Sequence, residues 1–385
     1  MANVLGAYSP EFFASEALLQ LRNALGMAGR IHRGFENERR GYGLGEVITI
    51  RKPGRFSVTD GGAGTVQEVK TQTVQIELSQ HKEVMFGLTD KELAYTGKRI
   101  IDEHVQPAAY ELANYIDEVL NELYVDIPWY AEAGATPGIA SIAKARRVLR
   151  ENGVPLGTPM FNHFEAGPYL EEQFLSASEF VQHQGAGDQG VSAQMQGQLG
   201  TKLGFNIFAN QNVQTHVAGA LVVTGAFTAD AAAVGATQLT LTAATSLTGT
   251  VKKGDSIKIA GDRQRYVVTA DATAVTPSVT VSIFPALQVA TTGAEVVTAR
   301  QASQVENLMF HRNAFALAMA PLPDFEGHSA SSHMFTASDE TTGLSIRAAQ
   351  WWDGTNKEYR VSLDVLFGLK TLDPNMAVRV NHAVA

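Results

Sequence analysis

Three groups of residues in this 385-residue sequence have types and spacings that could do chemistry. Gly185-Ala186-Gly187-Asp188-Gln189-Gly190 has G-x-G-x-x-G spacing. Such a run cradles a dinucleotide only when a buried strand enters it and a helix leaves it. Here His183-Gln184 precede it and polar, Gln-rich sequence follows, so a loop is expected and no cofactor. Glu179 and His183, four residues apart, could share a helix face and touch a metal. A metal centre needs further ligands, and none stands nearby in sequence, so a surface pair is expected. The third group is cationic: Arg51, Lys52 and Arg55 cluster on a chain of net charge −9. There is no G-x-S-x-G elbow, and the carboxylates gather only on helix faces. The absence of cysteine excludes disulfides, thiolate nucleophiles and Cys-type metal sites. No catalytic, cofactor-binding or metal site is expected.

The elements that would position these groups are organised around Pro107 to Val125. Ala109, Leu112, Ala113, Ile116, Val119, Leu120 and Leu123 recur at three- and four-residue spacing, while Glu111, Asp117, Glu118 and Glu122 lie off that stripe. This is a helix burying one face. Pro107 suits its first turn and Ile127-Pro128 ends it. At about 1.5 Å per residue the rod spans roughly 28 Å. Lys98 to His104 also reads helical, and a kink is expected at Pro107 if the two join. Thr89-Asp90-Lys91-Glu92 has the form of a capping box but meets Gly97 too soon, so the helix start stays open.

Before the helix, Ser9-Pro10-Glu11 starts a shorter one carrying Phe13, Ala17, Leu18, Leu21 and Leu25. Its stripe has no partner within its own segment, which leaves a packed helix or an arm that docks on a neighbour. From Gly45 the period becomes two. Glu46 to Arg51 and Thr65 to Leu78 alternate around a glycine-rich tip, Ser79 to Lys82 turns the chain, and Glu83 to Phe86 follows. Two strands alone are marginal in water, and this hairpin offers little of its own to pack upon. Arg51, Lys52 and Arg55 belong to its tip.

The runs GEVITIRKPGRFSV, TVQIELSQHKEVMFGLTDKEL and RIIDEHVQPAAYELANYID, with the later GFNIFANQNV, resemble tailed-bacteriophage major capsid proteins. The resemblance covers nearly the whole chain and is closest to coat proteins of short-tailed phages that carry an inserted β-domain. It implies an α+β fold with an N-terminal arm (1–42) and an extended E-loop hairpin (43–88). A peripheral domain (89–135 and 343–371) follows, with the long helix as its spine. An axial domain (136–218, 300–342 and 372–385) and an inserted antiparallel β-barrel (219–299) complete it.

The residues downstream give their own signals. Ile139 to Glu151 reads as a helix ending at Asn152-Gly153, Pro159 to His163 as a strand, and Gly167-Pro168 as a helix start. Gly200 to Val213 reads as one strand. Between Gly219 and Ala299, segments at 237–242, 255–259, 265–268 and 278–283 alternate in Thr, Val and Ile, which suggests a small barrel. Gly343 to Trp352 and Tyr359 to Leu369 form a hairpin through Asp353-Gly354-Thr355-Asn356, placed under the long helix, and Ala377 to Val380 is a last strand.

Composition agrees with a shell component. Charged residues make up 18%, which suggests that much surface ends against other protein. The acidic balance argues against tight polyanion binding. No apolar run approaches a membrane span and no signal peptide is evident, so a cytoplasmic soluble protein is expected. The resemblance implies a structural subunit and no enzyme. It would assemble with itself as hexamers and pentamers of an icosahedral shell, with a scaffolding protein and a portal, around double-stranded DNA bound without sequence specificity, in the virion. An encapsulin-like cellular compartment shell of the same fold is the alternative, and a β-rich hydrolase or carbohydrate-binding module a further one.

Overall fold

The long helix runs from Gln106 to Glu122 and closes in a 3-10 turn, Leu123–Asp126. The computed structural model describes residues 10–33, 47–52, 72–89, 104–182, 188–300, 302–323, 332–339 and 343–383. They fall into two units, Met1–Ile116 with Phe315–Leu372, and Asp117–Ala314 with Asp373–Ala385.

The first unit is built on the strand Glu358–Thr371. Gln80–Thr89 pairs along one edge of it, from Thr89↔Glu358 to Gln80↔Phe367. The other edge is shared: Leu344–Asp353 pairs with its first half and Phe315–Ala320 with its second. Ser332–Asp339 extends the sheet beyond Leu344–Asp353. Helix Pro10–Ala24 lies on these last two strands and buries Phe13, Ala14, Ala17 and Leu21. Its stripe therefore finds a partner later in its own chain.

The hairpin base is likewise supported. Val47–Lys52 pairs with Gln72–Glu77, and Ile48, Ile50, Ile76 and Leu78 pack on Ala316, Ala318 and Ala320. A Cβ at Gly368 would stand 2.2 Å from the Glu77 carbonyl, so the closeness of the two backbones requires glycine there. The sequence hid this because the alanine row lies more than two hundred residues away. Gln80 to Lys82 is strand rather than turn, and Thr89 ends that strand. Asp90 to Glu92, Lys98 to Glu103 and the hairpin tip lie outside the described residues.

The second unit combines a seven-stranded mixed sheet with a closed barrel. The sheet runs in the order Tyr130–Glu132, Ala377–Ala383, Gln304–His311, Asn162–Ala166, Phe205–Ala209, Thr201–Lys202, with Thr215–His216 beside Gln304–His311. Helix Ile139–Glu151 presents Ile142, Ala145 and Leu149 to a core that includes Phe164, Phe174, Phe205 and Val378. Pro159–Phe161 is a 3-10 turn, and the strand starts at Asn162. Gly200 to Val213 is not one strand but a tight hairpin, with Leu203 and Gly204 both at positive φ between Thr201–Lys202 and Phe205–Ala209. That is the two-residue turn whose twist matches flanking strands. Asp188 to Gly190, expected in a loop, instead open the helix Asp188–Gln196.

The barrel closes in the order Phe227–Ala229, Gln238–Ala243, Ser278–Phe284, Arg265–Val268, Ser256–Ile259, Glu295–Arg300. Every second residue points inward, so Leu239, Leu241, Ile257, Ile259, Tyr266, Val279, Val281 and Ile283 form a core of its own. Closure removes the open edges that a small sheet would otherwise expose.

Candidate functional site

Arg51 and Lys52 are the last two residues of Val47–Lys52, opposite Thr73 and Gln72. Arg55 lies outside the described residues. The glycine-rich run fares no better as a cofactor site. Helix Ser178–Val181, not a strand, precedes it, and Gly185 to Gly187 lie outside the described residues. Glu179 sits on that helix, while His183 is outside the described residues. Among the described residues no three His, Asp or Glu side chains group to hold a metal ion, and no helix is long and apolar enough to cross a membrane.

The polar constellations that the structure does assemble are buried. Asp117 lies off the apolar stripe in sequence, yet it is 4% exposed. Its Oδ2 accepts from Asn210 Nδ2 at 2.8 Å and Asn212 Nδ2 at 3.2 Å. Asn210 Nδ2 also reaches Glu165 at 3.2 Å. The amides that follow Phe205–Ala209 thus offset the cost of burying the Asp117 carboxylate.

A second constellation has the residue types of a proton relay. His216 Nε2 lies 2.8 Å from Asp255 Oδ1, and Nδ1 lies 3.2 Å from the Tyr124 hydroxyl. With Nε2–H donating to the carboxylate, Nδ1 is left to accept from the phenol. Burial and the charge of Glu306 push the Tyr124 phenol up to about 12. Tyr124, His216 and Asp255 are all buried, so the chain of hydrogen bonds faces other protein groups and offers no attacking atom to a substrate. Beside it, Arg379 donates from Nη1 to the Gly254 carbonyl at 3.0 Å and from Nη2 to Ser256 Oγ, with Glu306 at 3.9 Å. Nothing in local sequence spacing announced these contacts, because their members come from five distant segments.

A further, partly buried contact joins barrel to sheet. The guanidiniums of Arg265 and Arg300 each lie 4.2 Å from the Tyr130 ring, and Arg265 Nη1 donates to the Tyr130 carbonyl at 3.0 Å. Such cation–π pairs favour arginine over lysine. Elsewhere an open hollow of about 500 Å³ lies between Glu171, Gly197 to Thr201 and Asn206 to Ala209. Among the described residues Glu171 is its one ionisable lining group, too little for acid–base work.

No family model matches the sequence, and no curated protein matches it. Solved structures do. A chain of Mycobacterium phage Che8 aligns over 92% of this chain and 90% of its own, with a TM-score of 0.52 at 14% identity. A chain of the capsid of Ralstonia phage GP4 aligns over 94% and 88%, with a TM-score of 0.50 at 10% identity. The mixed helix-and-strand architecture of this chain is therefore a phage capsid fold, into which a six-stranded barrel is built.

Proposed function

We propose that this chain is the major capsid protein of a tailed phage, a structural subunit that assembles with itself into an icosahedral shell around double-stranded DNA. The observation that carries the proposal is the likeness in fold to a phage capsid chain along 94% of this one. The buried His216–Asp255–Tyr124 chain supports a structural role, since its atoms are spent on holding protein to protein.

In this reading, residues 1–42 form the N-terminal arm, 43–88 the E-loop and 219–299 the insertion. The peripheral domain comprises 89–135, with the long helix, and 343–371; Phe315–Ala320 and Ser332–Asp339, expected in the axial domain, join it here on account of their pairing. The axial domain takes up most of the remaining sheet and the chain end. Hexamers and pentamers of the subunit build the shell, with a scaffolding protein and a portal as assembly partners, and the DNA is held without sequence-specific contacts. The location is the virion capsid, assembled in the host cytoplasm.

Arg51, Lys52 and Arg55 are proposed to meet acidic groups of a neighbouring subunit. One exposed ion pair contributes only about 0–1 kcal/mol, but a shell repeats the contact in every subunit. Changing all three to Glu is expected to abolish closed shells in sedimentation while leaving the circular dichroism of the subunit unchanged. Normal shells from that variant would remove the hairpin cations from the account. The proposal as a whole is tested by sedimentation velocity of the purified protein, where large particles support it and a persistent 41.3 kDa species opposes it.

A further inference from the structure

The barrel is one continuous excursion of the chain, leaving the sheet after Thr215–His216 and rejoining it at Gln304–His311. Whether it sits or swings depends on what holds its foot. There the turn from Lys252 to Ser256 is gripped from two sides. Asp255, 1% exposed, accepts the backbone N–H of Lys252 at 2.8 Å and of Gly219 at 3.2 Å through Oδ2. Its Oδ1 takes His216, which is held in turn by the Tyr124 hydroxyl. From the other side Arg379, also 1% exposed, reaches the Gly254 carbonyl and Ser256 Oγ.

Between the two grips stands Gly254, at φ +97°, where a Cβ would lie 2.9 Å from His216 Cε1. The turn and the imidazole therefore touch with no room to spare. A swinging hinge has few buried contacts and solvent-exposed hydrogen bonds. This foot has the opposite character: a desolvated carboxylate bound to Lys252, Gly219 and His216, and a desolvated guanidinium bound to Gly254 and Ser256 on either side of it. Removing one partner of such a group leaves a buried charge uncompensated.

We infer that the foot is a lock, with Asp255 and Arg379 as positioning residues that seat the barrel on the sheet and make the two one cooperative unit. The lock belongs to the free subunit and does not depend on shell formation. It presents the barrel in a fixed orientation before any neighbour arrives.

The test is hydrogen exchange and calorimetry on the unassembled full-length subunit, comparing wild type with Asp255→Asn. The amide cannot accept both backbone N–H groups and the imidazole as the carboxylate does. Amides of 215–219 and 250–257 are expected to exchange about tenfold faster or more, while the barrel strands Gln238–Ala243 and Ser278–Phe284 keep their protection. The thermal transition is expected to split in two. Unchanged exchange at the foot with a single transition overturns the lock. So does uniform loss of protection through the barrel strands, which would make Asp255 a general stabiliser. Should Asp255→Asn not be recovered folded, Tyr124→Phe removes only the hydroxyl behind His216. Faster exchange at 215–219 in that variant supports the lock, and unchanged exchange there overturns it.

Discussion

Replacing Asp117 with Ala separates what the helix pattern implies from what the packed structure implies. By pattern alone Asp117 belongs with Glu118 on the open face, and either change should cost within about 0.5 kcal/mol. In the fold Glu118 is exposed but Asp117 is buried and accepts the side-chain amides of Asn210 at 2.8 Å, Asn212 at 3.2 Å and, more weakly, Asn121 at 3.4 Å. Hydrogen bonds to a charged acceptor contribute about 1.5–3 kcal/mol each. Relief of the carboxylate's own desolvation offsets part of that loss, leaving about 2–4 kcal/mol. At about 2–4 °C per kcal/mol for a unit of this size, Tm should fall by about 4–16 °C. Leu120→Ala on the same helix, fully buried, should cost about 2–5 kcal/mol through its cavity. The assay is scanning calorimetry of the soluble subunit for Asp117→Ala, Glu118→Ala and Leu120→Ala. If Asp117→Ala melts with wild type while Glu118→Ala unfolds the subunit, the helix has been placed with the wrong face inward.

Burial holds the His311 and His382 rings below their ordinary value, His382 against weaker opposing effects of the Ala383 carbonyl and Glu306. The unfolded rings take up protons near pH 6.5, so below that pH the unfolded state binds more protons and stability falls until the lower folded values are passed. Tm against pH should therefore be flat above about pH 7 and decline from about pH 6.5 downward; a rise on acidification would contradict this. Gly254→Ala combines a left-handed φ with a 2.9 Å contact to His216 and should cost about 1–3 kcal/mol in chemical denaturation, whereas an unchanged midpoint would mean the turn has slack. The barrel has its own core and closed edges, so residues 219–300 expressed alone should melt cooperatively; a protease-labile fragment without a transition would count against its independence.

What was legible in the sequence was local. Helix Ile139–Glu151 carries its own stripe and a Gly153 at φ +77° just past its end, and it was found at its observed bounds. Four barrel strands announced themselves by alternation. Phe227–Ala229 has three residues and Glu295–Arg300 alternates poorly, so the two closing strands gave too little period to read. Leu203 takes a left-handed φ usually left to Gly or Asn, which hid the hairpin at 201–209. Long-range partners were the larger loss. Asp117 meets Asn210, and His216 meets Asp255, across separations that no window spans. The hairpin and the first helix likewise seemed to lack support because the strands beneath them come from the last quarter of the chain. The family resemblance supplied the architecture that these local signals could not.

The central claim is that this subunit builds a shell, and electron cryo-microscopy of the purified, concentrated full-length protein tests it most directly. The account predicts closed particles of icosahedral symmetry in which each subunit of a hexamer or pentamer carries one six-stranded barrel. A homogeneous population of single 41.3 kDa subunits or small open oligomers, with and without a co-expressed scaffolding protein, would contradict it.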